Sequence, residues 1–293
     1  MTSVVLEDSS PDMSRDRGRA IGAILVQQGR LSPADVDKIR LFASNEGLRF
    51  GDAALRLQML SERDIDLAIA QQFKYTILER GGEHGVADDV IAAYAPQSPM
   101  VEPIRVLRSQ ISLRWPNPKE RKSLVVASSG RGEGRSWLAA NLATVFAQMG
   151  ERVLLIDADM RHPRQHELFN LDNSTGLSSL LTGRAGREIV VRINPNLRLF
   201  VLPAGILPPN PQELLGRQVF DLVLELFASQ YDFIVIDTPA TSESADAQIV
   251  AARADAAVVL VRLNRTRVQD LKMAMQNLTE SGVHVIGSVV NDY

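Results

Sequence analysis

Six short runs of apolar, largely β-branched residues are spread along the C-terminal two thirds of the chain. They are SLVVAS (123–128), RVLLIDAD (152–159), LRLFVLPA (197–204), FIVIDTP (233–239), AAVVLVRL (256–263) and HVIGSVV (284–290). None alternates apolar with polar along its centre. A strand that is apolar on both sides must be covered on both sides, and helical stretches separate the runs. The pattern therefore predicts an α/β domain: a mostly parallel sheet with helices on both faces. Sheets of this kind bind ligands beyond the carboxyl ends of their strands, so the residues that end each run are the ones to inspect for chemistry.

The first run leads into GRGEGRS (130–136), and a helix is expected over Ser136–Met149. Strand, glycine-rich loop and helix form the setting in which backbone N–H groups and a helix N-terminus hold phosphate. Gly130, Arg131, Gly132, Glu133, Gly134, Arg135 and Ser136 are the candidate cradle, with Ser136 a candidate magnesium ligand. The GxxxxGK[ST] spacing is broken twice, by Ser129 at the first glycine and by Arg135 at the lysine. The second run ends in Asp157 and Asp159, followed by Arg161, and the fourth ends in Asp237. One strand-end aspartate is often only a helix cap. Three of them converging on a phosphate loop match what magnesium and phosphoryl chemistry require. His162 and His166 sit four apart, but Pro163 between them and the lack of a third ligand favour surface residues over a metal pair.

The N-terminal part is organised differently. Residues 1–17 are polar and aperiodic, and a disordered tail is expected there. A helical domain follows over 18–76, built from a repeat: IGAILVQQGRLSPADVD from Ile21 and FGDAALRLQMLSERDID from Phe50. Ser32 and Ser61 are expected N-caps, with Asp35 and Asp64 answering three residues later and Pro33 in the first helical position. Ile21, Ile24, Leu25, Val36 and Ile39 fall on expected core faces. Breaker-rich ERGGEHGVADD and APQSPM suggest a linker over 77–100, leaving 101–293 for the phosphate-binding domain. The chain has no cysteine, a net charge of −3 and no apolar run long enough to span a bilayer. These facts exclude disulfides and thiolate chemistry, argue against nucleic-acid binding, and fit a soluble, cytoplasmic protein with no signal peptide.

GRGEGRS, LLIDADMRHP and FIVIDTP resemble the Walker A, A′ and B motifs of the bacterial tyrosine kinases, P-loop enzymes that control exopolysaccharide and capsule chain length. NSTGLSSLL, AGILPPNPQELL and VEPIRVLR resemble further segments of that family, and the match covers roughly 101–293. It points to the chain length determinant type of exopolysaccharide biosynthesis. The resemblance implies a P-loop NTPase fold, ATP and Mg²⁺ as cofactors, and transfer of the γ-phosphoryl to a protein tyrosine. It implies that 130–136 hold the ATP phosphates, with Arg135 in the lysine's place, and that Ser136 and Asp237 hold the metal. Asp157 would orient or deprotonate the tyrosine hydroxyl, Asp159 would assist, and Asn291 would read adenine. Glu102, Arg105 and Arg108 would form a subunit contact in a homo-oligomeric ring. An inner-membrane polysaccharide co-polymerase would be the partner that brings the protein to the membrane periphery.

The chain departs from that family at Arg135 and at its tyrosines. The family carries a C-terminal tyrosine cluster; here Tyr75, Tyr94, Tyr231 and Tyr293 are scattered. Two other readings stay open: a non-catalytic nucleotide-binding scaffold of the export complex, and a ParA/MinD-type switch ATPase. Against the second, the first lysine of its K-G-G-x-G-K-[ST] loop falls on Gly130. The helical repeat resembles the N-terminal domain of type II secretion ATPases, some of which bind cyclic di-GMP. Arg49-Phe50-Gly51 matches the Arg-Leu-Gly start of that motif loosely, and a packed helical adaptor is the plainer reading.

Overall fold

The computed structural model describes residues 21–72, 76–78, 80, 85–115 and 123–292. The expected N-terminal tail lies outside them. The chain divides into two compact units, Met1–Ile77 and Leu78–Tyr293.

In the first unit, helix α1 covers residues 21–27, followed by α2 (Pro33–Glu46), α3 (Phe50–Arg56) and α4 (Glu62–Gln72). The two serine caps form as the sequence suggests. Ser32 Oγ accepts from Asp35 N at 3.2 Å, while Asp35 Oδ2 accepts from Ser32 N at 2.9 Å. Ser61 and Asp64 repeat the arrangement at 3.2 and 3.0 Å. In both places the hydrogen bonds to serine hold the aspartate carboxyl below its ordinary range. Leu25, Val36, Ile39, Ala53, Ala54 and Ile65 close the small core.

The second unit opens with α5 (Ile91–Tyr94) and α6 (Glu102–Arg114). Then come β1 (Ser123–Ser128), α7 (Arg135–Gln148), β2 (Val153–Asp157), α8 (Gln165–Leu168), α9 (Leu177–Leu181), β3 (Val191–Asn194) and β4 (Leu197–Leu202). It continues through α10 (Pro211–Gly216), α11 (Gln218–Ala228), β5 (Phe233–Asp237), α12 (Asp246–Ala251), β6 (Ala256–Arg262), α13 (Val268–Glu280) and β7 (His284–Asn291). The sheet order is β3-β4-β2-β5-β1-β6-β7, parallel except that β3 pairs antiparallel with β4. Strand β3 was not among the six runs. It is four residues long, lies at the sheet edge and is only partly buried, so it carries little apolar signal.

Residues alternate between two core layers. Leu124, Val126, Val153 and Leu155 face α7, and Val125, Ala127, Leu154 and Ile156 face the opposite layer, which contains Leu214, Phe220 and Leu278. Helix α7 is buried from Leu138 to Ala147, with alanines at 139, 140, 143 and 147 allowing close approach to the sheet. Helix α6 and the segment expected as a linker pack against α7. Val86, Val90, Ala92 and Ala93 are buried in the same core layer. Asn141 Oδ1 accepts from Ala92 N at 2.9 Å and its Nδ2 donates to Asp89 O at 2.8 Å, while Gln148 Nε2 donates to Ala92 O at 2.7 Å. Where it is described, 77–100 is therefore packed structure. Its breaker residues signalled loop conformation, and the side chains of α7 supply the hydrogen bonds that a loop's backbone lacks.

Candidate functional site

The sheet order places three strands side by side: β2, β5, β1. Their C-terminal ends carry the DAD stretch, Asp237 and the glycine-rich loop. Residues more than a hundred positions apart thereby reach one edge, with β5 in the middle. Asp157 and Asp237 are register partners on adjacent parallel strands, so their side chains emerge on the same face.

The loop turns through Gly132 (φ 71°) and Gly134 (φ 102°), the left-handed region that glycine enters without strain. A side chain at Gly134 would also meet Asn291 Nδ2 at 2.6 Å. Helix α7 begins directly after, with Gly134 as its N-cap. A cleft of about 270 Å³ opens here, its lining including Arg131, Gly134, Arg135, Ser136, Asp159 and His162.

Arg135 is buried. Its Nε donates to Thr238 O at 2.7 Å, and Nη1 donates to Gly130 O at 2.7 Å and to Ser128 Oγ. Its Nη2 lies 3.9 Å from Asp159 Oδ2. The guanidinium thus ties the start of the loop to the residue after Asp237, using donors that a lysine does not have, and its remaining nitrogen is the one beside Asp159. Glu133 is a second internal strut. Only 3% exposed, it accepts from Gly130 N at 3.0 Å, from Ser129 Oγ at 3.4 Å and from Thr266 Oγ1. From outside, Arg262 Nη1 donates to Gly132 O at 3.0 Å and Asn291 Nδ2 to Glu133 O at 3.0 Å. Glu133 and Asn291, both expected to touch nucleotide, here hold the loop's shape, and the amide of Gly130 is occupied by Glu133.

The carboxylates divide into two kinds. Asp159 lines the cleft, and its Oδ1 accepts from His162 N at 2.9 Å. Asp157 and Asp237 are fully buried. Asp157 Oδ2 accepts from Arg164 N and Gln165 N at 3.0 and 2.9 Å, and its Oδ1 from Asp159 N at 3.2 Å. Burial first, and the charge of Asp237 second, raise the Asp157 carboxyl well above the ordinary carboxylate range. Burial likewise pushes Asp237 up to about 6, against the opposing pull of the Ser136 hydroxyl, Arg135 and Gln165. Asp237 Oδ1 is buried with no hydrogen-bond partner among the described residues. A hydroxyl, a free carboxylate oxygen and a positive helix end suit a hard cation held partly through water beside an anionic ligand. Arg161, the arginine that follows the two aspartates, donates from Nε to Asp246 Oδ2 at 2.8 Å.

The remaining candidates lie elsewhere. Glu102, Arg105 and Arg108 are on α6, where Arg105 Nη1 donates to Glu102 at 3.2 Å and Nη2 to Pro96 O at 2.8 Å. The Tyr94 hydroxyl donates to Asp88 O at 2.7 Å. Tyr231 packs edge-on against Phe200 and Phe227 with the Arg152 guanidinium over its ring. Tyr75 and Tyr293 lie outside the described residues. Among the described residues no cluster of His, Asp and Glu is arranged to hold a metal alone, and no helix is long and apolar enough to cross a membrane.

The family model described as an AAA domain matches residues 121–281. The chain is 38% identical over 204 residues to tyrosine-protein kinase YwqD of Bacillus subtilis, a match covering 69% of this chain and 85% of that protein. It is 34% identical over 193 residues to tyrosine-protein kinase ptk of Acinetobacter johnsonii, covering 66% of this chain and 26% of that longer protein. Among solved structures, the kinase domain of the Escherichia coli tyrosine kinase ETK superposes with a TM-score of 0.67 at 26% identity, covering 74% of this chain and 89% of that one.

Proposed function

The chain belongs to the bacterial tyrosine-protein kinases, and from that premise we propose that its second unit transfers the γ-phosphoryl group of ATP to a protein tyrosine. The observation that carries the reading is the adjacency of β2, β5 and β1, which brings the loop 130–136 and three strand-end aspartates to one sheet edge, where Asp159 lines a cleft with the loop. In this proposal backbone N–H groups of the loop after Gly130 and the N-terminus of α7 receive the phosphates. Arg131 and Arg135, both of which line the cleft, add positive charge. Ser136 and the free oxygen of Asp237 hold magnesium, Asp237 through water. Bound there, the ion would neutralise charge on the β- and γ-phosphates and help to keep the reacting oxygens in line.

Asp157 was expected to meet the tyrosine hydroxyl, with Asp159 assisting. We exchange those roles, because Asp159 lines the cleft while Asp157 is buried behind it under three backbone N–H donors. Asp157 then fixes the turn that presents Asp159. The acceptor is Tyr293 or a tyrosine of a partner. By analogy with the family, the kinase regulates exopolysaccharide chain length or export, docked on a membrane co-polymerase and assembled as a ring through Glu102, Arg105 and Arg108. The N-terminal repeat is an adaptor in this reading, and calorimetry with cyclic di-GMP tests the alternative of dinucleotide binding.

The test is a phosphotyrosine assay with magnesium and ATP, on the chain alone and with the partner's cytosolic segment. The proposal expects magnesium-dependent phosphotyrosine that Asp159→Asn removes. ATP hydrolysis without phosphotyrosine in either condition overturns it. One observation favours a second reading, a nucleotide-binding scaffold: Nε and Nη1 of Arg135 are already committed to protein oxygens. ATP bound tightly and never turned over, even with the partner, would select that reading.

A further inference from the structure

Gln165 stands outside every motif discussed so far, yet it touches all three. It is the first residue of α8 and is fully buried, a rare position for a glutamine. Its backbone N–H donates to Asp157 Oδ2 at 2.9 Å. Its side-chain Nε2 donates to Asp237 Oδ2 at 2.8 Å and to Ser136 O at 3.1 Å. One residue thus bonds the second strand's aspartate, the fifth strand's aspartate and the first turn of the phosphate-loop helix.

The chemistry of the contacts fixes which way the amide faces. Asp237 Oδ2 and Ser136 O are both acceptors, so the NH₂ end must point at them and the carbonyl oxygen must point away. That oxygen, Oε1, is buried and has no hydrogen-bond partner among the described residues, and the same is true of Asp237 Oδ1. The two groups are joined by the 2.8 Å bond, so two unpartnered acceptors lie an amide and a carboxylate apart in one buried place. A buried acceptor without a donor is costly, and native proteins supply one, commonly as ordered water. A hydrated cation brings water whose hydrogens need such acceptors.

We propose that Gln165 is a positioning residue for the metal site: its NH₂ group fixes the Asp237 carboxylate so that Oδ1 stays free, and its Oε1 accepts a hydrogen bond from water in the shell of the magnesium ion. The proposal rests on the functional reading above only in taking the cation to be magnesium bound with a nucleotide. It assigns Gln165 no contact with ATP or tyrosine.

The experiment is calorimetric titration of ADP into the full chain across a series of magnesium concentrations and again in EDTA, for the parent, Gln165→Met and Gln165→Glu. Methionine keeps length and removes both hydrogen-bonding ends. Glutamate keeps shape and replaces the donor with an acceptor facing Asp237. Outer-shell partners of metal ligands are typically worth 10–100-fold in metal affinity. The magnesium needed for half-maximal tightening of ADP should rise about 10-fold or more in both variants, while ADP affinity in EDTA stays within about twofold. A purely structural role would lower the melting temperature and the EDTA-state affinity together and leave the magnesium midpoint in place; that result overturns the proposal. If the methionine variant does not fold, an unchanged magnesium midpoint in Gln165→Glu overturns it equally. A parent chain whose ADP affinity ignores magnesium overturns both this proposal and the functional reading. A parent that responds to magnesium beside variants that match it overturns this one alone.

Discussion

Replacing Asp237 by asparagine should make the ligand-free protein more stable while ending magnesium-dependent phosphoryl transfer. Asp237 and Asp157 are buried register partners, and burial raises the Asp237 carboxyl from 3.8 to about 6. Between those two values the folded chain binds the proton more tightly than the unfolded chain does. The stability contributed by this group is therefore full below 3.8 and is lost as the pH climbs through about 6. The gap is about two units, so holding Asp237 charged at pH 7.5 costs the folded state about 3 kcal/mol. Asparagine has the same shape and no charge, and its removal of a negative neighbour also eases the ionisation of Asp157. A gain of about 1–3 kcal/mol at pH 7.5 is expected, shrinking toward zero near pH 4. Both tryptophans, Trp115 and Trp137, lie in the sheet unit, so guanidinium unfolding followed by tryptophan fluorescence in EDTA reports on that unit. An asparagine variant less stable than the parent at pH 7.5, with no change in the difference at lower pH, would refute the claim that this pair is held under electrostatic strain for a ligand's benefit.

Three other outcomes follow from the same contacts. Arg135→Ala strips Thr238 O and Gly130 O of a charged donor, each such bond being worth about 1.5–3 kcal/mol; the denaturant midpoint and ADP affinity should both fall, and Arg135→Lys should recover more of the affinity than of the stability, because lysine lacks the Nε bond. Gly176→Ala would place a Cβ 2.3 Å from both Gly205 N and Pro203 O; Pro203 O accepts from Leu177 N at 2.8 Å and Gly205 N donates to Asn173 Oδ1 at 2.8 Å; overpacking of this kind costs about 1–3 kcal/mol or more, read as a lower melting temperature. Ser32→Ala removes the cap of α2 at about 1 kcal/mol, and hydrogen exchange should speed up along α2 while the tryptophan-reported unfolding of the second unit stays put.

The strand pattern was legible because it is constrained locally: a covered parallel strand must be apolar throughout, and parallel neighbours bring their last residues, here Asp157 and Asp237, to one edge. Glycine and serine at fixed spacing show a loop in the same way. The struts of that loop were not legible. Glu133 meets Thr266, Asn291 meets Glu133 and Gln165 meets Asp237 across 133, 158 and 72 residues, and nothing in the local pattern of a glutamine after proline and arginine marks it as buried. Segment 77–100 misled for the opposite reason. Its breaker residues say nothing about packing, which depends on Asn141 and Gln148, residues of another element. The serine caps of the first unit were readable because both partners lie within four residues.

The most direct test of the central claim is a crystal structure of the chain with magnesium and a non-hydrolysable ATP analogue. The account predicts the triphosphate along residues 131–136, the ion against Ser136 Oγ with a water reaching Asp237 Oδ1, and Asp159 facing the γ-phosphate. An analogue bound away from that loop, or an ion coordinated without either Ser136 or Asp237, would contradict it.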